Sequence, residues 1–302
     1  MMMTIRHTIP AFALCCTLAA ITGLVGCSED DLNPISVITV DQKDYTPFDH
    51  WLQRNYVVPY NIRFKYRYED IESDMDYYTV PSRYEDAVVM AHLVKYMCIE
   101  AYDEVGGIDF TRGYFPKLIF TIGEWEYRNN GTYILGTAEG GRKILLSGTN
   151  YLSRYLKNAD DLNTYYLKTI HHEFTHILNQ TKDYPAEFQL ITGADYVADK
   201  WSESPFDSGY LTRGFISAYS QHSDKEDFAE MLSMYVCTSE TVWNRWMSEA
   251  GEAGRRRIEA KLDIVKKYML DTFDIDMDRL RQSIQRRQVQ VVAGYIDLTS
   301  LD

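Results

Sequence analysis

Residues 171–176 read HHEFTH, a stretch that contains the pattern H-E-x-x-H. Apolar residues spaced three and four apart around it predict a helix over about 160–179. Residues four apart on a helix lie about 40° apart around its axis and about 6 Å apart along it, so His172 and His176 face one point and can share a zinc ion. Glu173 lies about 100° round from His172, where we expect it to serve as a general base without binding the metal.

The residues that flank this motif narrow the class of zinc site. His171 points about 100° away from His172 on a regular helix, so we expect it to be a buried or capping histidine. The metzincin pattern continues with glycine three residues and histidine six residues after the second histidine, but Asn179 and Lys182 occupy those positions. A metzincin site is therefore excluded, and a third ligand must come from elsewhere in the chain.

In gluzincins, a glutamate on a second helix is the third zinc ligand. An acidic residue one turn later usually accepts the N–H of a ligand histidine. Glu226 and Glu230 are four residues apart in a segment predicted to be helical, so we expect Glu226 to be the third ligand and Glu230 to orient a histidine from outside the ligand shell. Three rival ligands stay open, because a loop residue could reach the metal: His222, Glu187 and Asp195.

The N-terminus predicts the compartment. Residues 1–26 have a basic start and an apolar run, which is typical of an export signal. The run ends with LVGC at 24–27 and resembles the bacterial lipobox, whose cysteine, here Cys27, is diacylated. The acidic stretch SEDD at 28–31 resembles the surface-export signal of Bacteroidota lipoproteins. We therefore expect an outer-membrane lipoprotein that is exposed at the cell surface, with 27–40 as its tether and a lipid anchor in the membrane.

The composition of the chain excludes one class of partner. Among its 302 residues, 44 acidic side chains outnumber 31 basic ones, which gives a formal net charge of −13. Nucleic-acid binding needs basic side chains that neutralise phosphates, so we expect no nucleic-acid partner. Cys98 and Cys237 are the cysteines that follow the lipid-bearing Cys27, and we expect both to be buried thiols.

Hydrophobic periodicity predicts one α+β domain over 41–302. We expect its N-terminal α+β lobe to end near residue 180, and a mostly helical lobe to follow. We also expect the segment 140–148 to form the edge strand that holds an extended substrate. The predicted elements are, in chain order, a helix at 48–55, a strand at 60–68, a helix at 83–103, strands at 117–121, 132–135 and 143–146, and helices at 160–179 and 257–273.

The segment around Glu226 resembles a known protease. Residues 226–230 read EDFAE, and Tyr219 stands seven residues before Glu226. This arrangement is similar to that of the anthrax lethal-factor protease, whose tyrosine points into the zinc site, and it implies that Tyr219 donates a hydrogen bond to the developing oxyanion. The 50-residue gap between His176 and Glu226 is wider than in lethal factor. We therefore expect the insertion 181–217 to fold as a loop-rich subdomain over or beside the site.

A second resemblance covers most of the mature chain. The lipobox, HHEF at 171–174, Gln180, GFI at 214–216 and residues 226–231 together resemble the zinc-binding metallopeptidase lipoproteins of the Bacteroidota, which are import-associated zinc metallohydrolases. This resemblance implies a zincin-like fold, in which a small mixed sheet lies over the H-E-x-x-H helix. It also implies two partners, a TonB-dependent porin and its surface lipoprotein.

The predicted site combines zinc ligands with catalytic groups. Zinc held by His172, His176 and Glu226, with Glu173 as the base and Tyr219 as the oxyanion donor, would hydrolyse a peptide or protein substrate. Two other classes stay open, a substrate-capture lipoprotein with structural zinc and a zinc hydrolase that cleaves a non-peptide bond. Glu173 favours catalysis, because a structural zinc site needs no general base.

Overall fold

The computed structural model describes residues 45–72, 76–127, 133–139 and 143–302. The predicted export signal, Cys27 and the tether lie outside these residues, and they stay predictions. The segment Tyr45–Asp302 packs as one unit. Within the described part of the chain, every helix is too short or too polar to cross a membrane.

The six described strands are β1 (Arg63–Lys65), β2 (Leu118–Thr121), β3 (Glu126–Tyr127), β4 (Tyr133–Ile134), β5 (Gly136–Glu139) and β6 (Lys143–Leu146). Four of them form a small mixed sheet in the order β1, β2, β6, β5. Strands β1, β2 and β6 are parallel, and β5 runs antiparallel to β6. All four side chains of β6 are buried, as expected for a strand inside a covered sheet. Strands β3 and β4 form a separate antiparallel ribbon.

Helices make up most of the remaining described chain. The α- and π-helical segments before β1 are Pro47–Leu52, Gln53–Val57 and Val58–Tyr60. Those between β1 and β2 are Tyr84–Leu93, Val94–Ile99, Glu100–Gly106 and Ile108–Tyr114. Those after β6 are Ala159–Leu162, Asn163–Leu167, Lys168–Thr181, Glu187–Thr192, Tyr210–Arg213, Asp224–Cys237, Glu240–Glu249, Gly251–Phe273 and Met277–Val292. Several adjoining segments continue one another, so that 47–60, 84–106 and 159–181 are each one helical run. The predicted α+β class, with a small mixed sheet, is confirmed.

Two antiparallel helices carry the predicted metal ligands together with Glu173 and Glu230. We call Lys168–Thr181 the motif helix and Asp224–Cys237 the glutamate helix. Their relative direction follows from their contacts, because the first residue of the motif helix reaches Glu230, whereas His176, two turns later, reaches Glu226. The two helices therefore bring together residues that are about 50 positions apart in sequence.

The sequence explains why both helices form where they do. On the motif helix, Ile170, Phe174 and Ile177 are buried at four- and three-residue spacing, so one apolar stripe fixes the helix in the core. The glutamate helix begins after Ser223, whose hydroxyl accepts a hydrogen bond from the Glu226 N–H. The acidic residues in its first turn also stabilise the helix, because they lie at the positive end of its dipole.

The prediction of the substrate-holding edge strand at 140–148 is wrong. Its core, Lys143–Leu146, is β6, which has β2 on one side and β5 on the other. The edge strands are instead β1 and β5, and the sequence pattern does not predict β5 because its first residue, Gly136, disfavours a strand. Glycine is required there by close packing, since a Cβ atom at Gly136 would lie only 2.5 Å from the Leu145 carbonyl oxygen on β6 and 2.7 Å from Thr169 Cγ2 on the motif helix.

Other elements differ from their predictions mainly in length. The strand predicted at 60–68 is limited to β1, and the strand predicted at 132–135 is limited to β4. The insertion 181–217 contains only short helical segments between loops, which confirms its loop-rich character. It also supplies Trp201 to the cavity beside the motif helix, so it does lie beside the predicted site.

A buried ion pair joins the glutamate helix to the helix Gly251–Phe273. Lys261 Nζ is fully buried and donates to Asp227 Oδ2 at 2.5 Å and to the Gly214 carbonyl oxygen at 2.9 Å. The Tyr196 hydroxyl donates to the same carboxylate oxygen at 2.9 Å. Burial raises the pKa of Asp227 and lowers the pKa of Lys261. These contacts anchor the first turn of the glutamate helix.

Lys261→Met is expected to lower the free energy of unfolding by about 3–5 kcal/mol, because it leaves the Asp227 carboxylate buried without its counter-charge. Urea unfolding followed by circular dichroism measures this change. Lys267→Met is the matched control, since Lys267 is exposed on the same helix, and it should change stability by less than about 0.5 kcal/mol. Equal stability of the two variants would show that the ion pair does not anchor the helix.

Candidate metal centre

Two histidines and a glutamate converge between the motif helix and the glutamate helix. His172 Nε2 lies 2.9 Å from Glu226 Oε2, and His176 Nε2 lies 3.1 Å from the same oxygen. The two Nε2 atoms are 3.1 Å apart, although the ring planes are nearly perpendicular at 83°. Across the described ranges, these three residues form the group of histidine, cysteine and acidic side chains whose ligand atoms all lie within 4.8 Å of one another.

The chemistry of this donor set fits zinc. Two imidazole nitrogens and one carboxylate oxygen are a common set of protein ligands in catalytic zinc sites. Burial lowers the pKa of His172, but its hydrogen bonds with Glu226 and Glu230 outweigh burial and raise that pKa to about 10. Burial likewise opposes ionisation of Glu226, but the two histidines hold its pKa well below the usual range. The site thus favours a positive charge between its side chains, which a divalent cation supplies.

Glu230 lies one turn after Glu226 and is only 1% exposed. Its Oε1 atom lies 2.9 Å from His172 Nδ1, the ring nitrogen that does not face Glu226. Two other groups surround the same carboxylate, Lys168 Nζ at 3.1 Å and Ser217 Oγ at 2.7 Å. Burial disfavours the charged carboxylate, but Lys168 and His172 hold its pKa well below the usual range. A carboxylate in this place fixes the His172 tautomer in which Nε2 is free to bind a metal.

A cavity of about 290 Å³ lies beside His172. Glu173 lies on the motif helix directly before the buried Phe174. Its side chain is half-buried and lines this cavity. The other lining residues come from β4 and β5, from the motif helix, from the insertion and from the glutamate helix: Tyr133, Ile134, Leu135, Gly136, Lys168, Thr169, His172, Trp201, Tyr219 and Glu230. A candidate base, a candidate metal-ligand histidine and an edge strand therefore share one cavity.

Tyr219 also lines this cavity. The centre of its ring is 5.9 Å from that of His172 and 5.1 Å from that of Trp201. Burial, together with the negative charges of Glu226 and Glu173, raises the pKa of Tyr219 well above its ordinary value. The hydroxyl group therefore keeps its proton at neutral pH and can donate a hydrogen bond.

The rival ligands lie apart from this cluster. His222 Nε2 is 3.4 Å from Asp199 Oδ1, and Asp195 accepts a hydrogen bond from Arg257 at 3.1 Å. Glu187 is exposed at the start of its own short helix. Of the four acidic and histidine candidates for the third position, the structure brings only Glu226 to the two histidines of the motif.

His171 and the two cysteines belong to the core. His171 is fully buried, with its Nδ1 atom 3.2 Å from the Tyr102 hydroxyl and its Nε2 atom 3.9 Å from Cys98 Sγ. Burial lowers the pKa of His171 to about 3, so the ring is neutral. The predicted buried histidine is thus confirmed, and Cys98 and Cys237 are buried free thiols.

Three residues of the site were missed by the sequence analysis. Lys168 stands four residues before His172, so the helical spacing that pairs the two histidines could also have placed Lys168 on their face. Ser217 and Trp201 lie in the insertion, where no periodic pattern predicts which side chains face the site. Their positions follow from tertiary packing alone.

Comparisons with known proteins identify the family of the chain. The family model described as "Putative zinc-binding metallo-peptidase" matches residues 41–278. A crystal structure at 2.10 Å resolution of a putative zinc-binding metallo-peptidase from Bacteroides caccae ATCC 43185 is similar to the chain, with 42% sequence identity and a TM-score of 0.74. The similarity covers 88% of this chain and 100% of the Bacteroides caccae chain. No curated protein matches significantly. Because the family model spans well over half of the sequence, the chain belongs to this family of zinc-binding metallo-peptidases.

Proposed function

We propose that the protein is a surface-anchored zinc metallopeptidase of the gluzincin type, with a zincin-like fold, and that it serves a TonB-dependent nutrient import system. The convergence of His172, His176 and Glu226 beside the cavity that Glu173 lines is the observation that carries the peptidase proposal. The import partners, a porin and its surface lipoprotein, are supported by the sequence resemblance alone.

Each side chain of the centre has a distinct task in this proposal. His172, His176 and Glu226 would hold the ion, and Glu230 would keep His172 in its binding tautomer. Bound zinc supplies a Lewis acid that polarises a carbonyl group and activates water. Glu173 accepts the proton of the attacking water and passes it to the leaving amine. Tyr219 donates its O–H to the oxygen on which negative charge develops.

The edge of the sheet provides a way to hold the substrate. Strand β5 is the last strand of the sheet beside β6, and its first residue, Gly136, lies in the wall of the cavity. An extended peptide that pairs with an edge strand gains main-chain hydrogen bonds, while the cavity accepts one of its side chains. We therefore place the substrate chain along β5, with the scissile bond near Glu173.

Hydrolysis of a mixed protein substrate, such as labelled casein, tests the peptidase proposal. We expect cleavage that stops after treatment with a chelator and returns when zinc is added, because the centre cannot work without its metal. Peptides released over time are measured by mass spectrometry. Zinc binding without cleavage of any protein would favour a capture lipoprotein or a hydrolase of another bond.

Replacement of Cys27 tests the proposed location. Cys27→Ser is expected to release the protein from the membrane, because the acyl chains that anchor it can no longer be attached. Replacing Glu29, Asp30 and Asp31 by their amides should instead leave a lipidated protein that faces the periplasm. Fractionation, and protease treatment of intact cells, measure the two effects. If the unaltered protein is itself fully protected in intact cells, surface display is refuted.

A further inference from the structure

Glu230 contacts Lys168 and Ser217 as well as His172, the histidine that it orients. Its two oxygens face different parts of the molecule. Oε1 contacts the motif helix, through His172 Nδ1 at 2.9 Å and Lys168 Nζ at 3.1 Å. Oε2 accepts a hydrogen bond from Ser217 Oγ at 2.7 Å and also lies 3.4 Å from Lys168 Nζ. The carboxylate thus joins the motif helix to the end of the insertion.

Ser217 in turn holds the segment that carries Tyr219. A serine hydroxyl has one proton, and here it goes to the carboxylate, which can only accept. The lone pairs of Ser217 Oγ then accept the N–H of Ser220 at 3.1 Å. This bond closes the turn from 217 to 220, directly before and within the short helical segment Tyr219–Gln221. The placement of Tyr219 therefore depends on where Glu230 holds Ser217.

Lys168 provides the positive charge that keeps this carboxylate in place. Glu230 is almost completely buried, and a buried carboxylate without a counter-charge is strongly disfavoured. Lys168 lies one helical turn before His172, on the same face of the motif helix, and its ammonium group reaches both carboxylate oxygens. Its side chain is 24% exposed, so water can screen it only in part.

We propose that Lys168 and Ser217 are positioning residues, which act through Glu230 to hold the metal-ligand histidine His172 and the oxyanion donor Tyr219 in one fixed arrangement. This inference rests on the proposed function, because it assigns the two residues to the same centre. Lys168 and Ser217 contact the Glu230 carboxylate, and not the Nε2 atoms of the two histidines or Oε2 of Glu226. Their effect is on the geometry of His172 and Tyr219.

The sign of the effect of Lys168 on zinc affinity separates this role from a simple charge effect. If Lys168 acted only by its charge, its removal would strengthen zinc binding, because a nearby positive charge repels the ion. If it positions Glu230, its removal loosens His172 and weakens zinc binding. Loss of an outer partner of a metal ligand typically lowers metal affinity about 10- to 100-fold.

Zinc affinity, measured by competition with a chromophoric chelator, provides the test. We expect Lys168→Met to raise the zinc Kd by about 10-fold or more, and Lys168→Arg to restore it to within about 3-fold of the unaltered protein. In a Glu230→Gln background, Lys168→Met should have no further effect, since both changes act on one contact. Lys95→Met is the matched control, because Lys95 also pairs with a glutamate, Glu100, and its side chain is similarly exposed at 23%, but it lies on the helical run 84–106, which carries no residue of the centre.

Amide hydrogen exchange of the segment 215–222 tests the proposed role of Ser217. Ser217→Ala should speed exchange there by about 10-fold, because the turn that carries Tyr219 loses the three hydrogen bonds of the Ser217 hydroxyl, with Glu230 and with the N–H and hydroxyl of Ser220. Ser283→Ala is the matched control, since Ser283 donates to the Glu104 carboxylate at 2.8 Å, far from this segment. It should leave exchange of 215–222 unchanged.

Several outcomes would overturn the inference. Tighter or unchanged zinc binding in Lys168→Met would do so. An equal loss of zinc affinity from Lys168→Met in the Glu230→Gln background and in the unaltered protein would also do so, as would unchanged amide exchange in Ser217→Ala. If Lys168→Met does not fold, Lys168→Gln retains a hydrogen-bond donor without the charge and replaces it in the cycle. Neither measurement needs peptide cleavage, so a protein that shows these changes but cleaves nothing contradicts the proposed function and not this inference.

Discussion

Glu173→Gln is expected to retain zinc while its peptide hydrolysis falls by about 10²- to 10⁴-fold, the usual contribution of a general base. The amide has nearly the same shape as the carboxylate, so it still fits the cavity wall beside His172. It cannot accept the proton of the attacking water, because a neutral amide replaces the basic carboxylate. The initial rate of casein cleavage and the zinc content of the same preparation are measured together.

Glu187→Gln is the matched control for this variant. It makes the same chemical change at an exposed position on a separate short helix, and it should leave the rate unchanged. Turnover of Glu173→Gln at the rate of the control would show that another group serves as the base. Loss of zinc together with activity would show that Glu173 acts on the metal site instead.

Glu226→Ala is expected to reduce zinc from about one ion per chain to less than a tenth. Glu226 Oε2 contacts both Nε2 atoms of the motif, so its removal leaves two of the three candidate ligands. The loss of affinity should exceed about 100-fold, since removal of a partner outside the ligand shell already costs about 10- to 100-fold. Elemental analysis after dialysis against a fixed zinc concentration measures the result.

His222→Ala provides the control for the third ligand, because His222 is the rival with the best ligand chemistry and lies four residues before Glu226. It faces Asp199 and should retain a full equivalent of zinc. If His222→Ala loses the ion and Glu226→Ala keeps it, the assignment of the third ligand is wrong.

The parts of the fold and of the site that depend on helical spacing could be predicted from the sequence. The spacing of His172 and His176, and that of Glu226 and Glu230, places each pair on one helix face, and local geometry alone decides this. The buried state of His171 follows from the same rule, because it points away from its neighbour. Both helices have the apolar stripes or caps that such a prediction requires.

The missed parts depend on contacts between distant segments. Strand β5 begins with Gly136, which disfavours a strand by propensity but is needed where the strand passes close to Thr169. No local pattern contains that requirement. The same is true of Trp201 and Ser217, whose places beside Tyr219 and Glu230 are set by how the insertion folds back.

The candidate ligands lie on helices, whereas part of the cavity wall lies in a loop, and this arrangement has an evolutionary consequence. All three candidate ligands and Glu230 lie on two packed helices, whereas Trp201, in the cavity wall, lies in the loop-rich insertion between them. Substitutions or insertions near the exposed residues 203–205 can therefore change the shape of the cavity without moving a ligand. Descendants of one ancestral enzyme can thus diverge in the substrates they accept while they inherit the same metal chemistry.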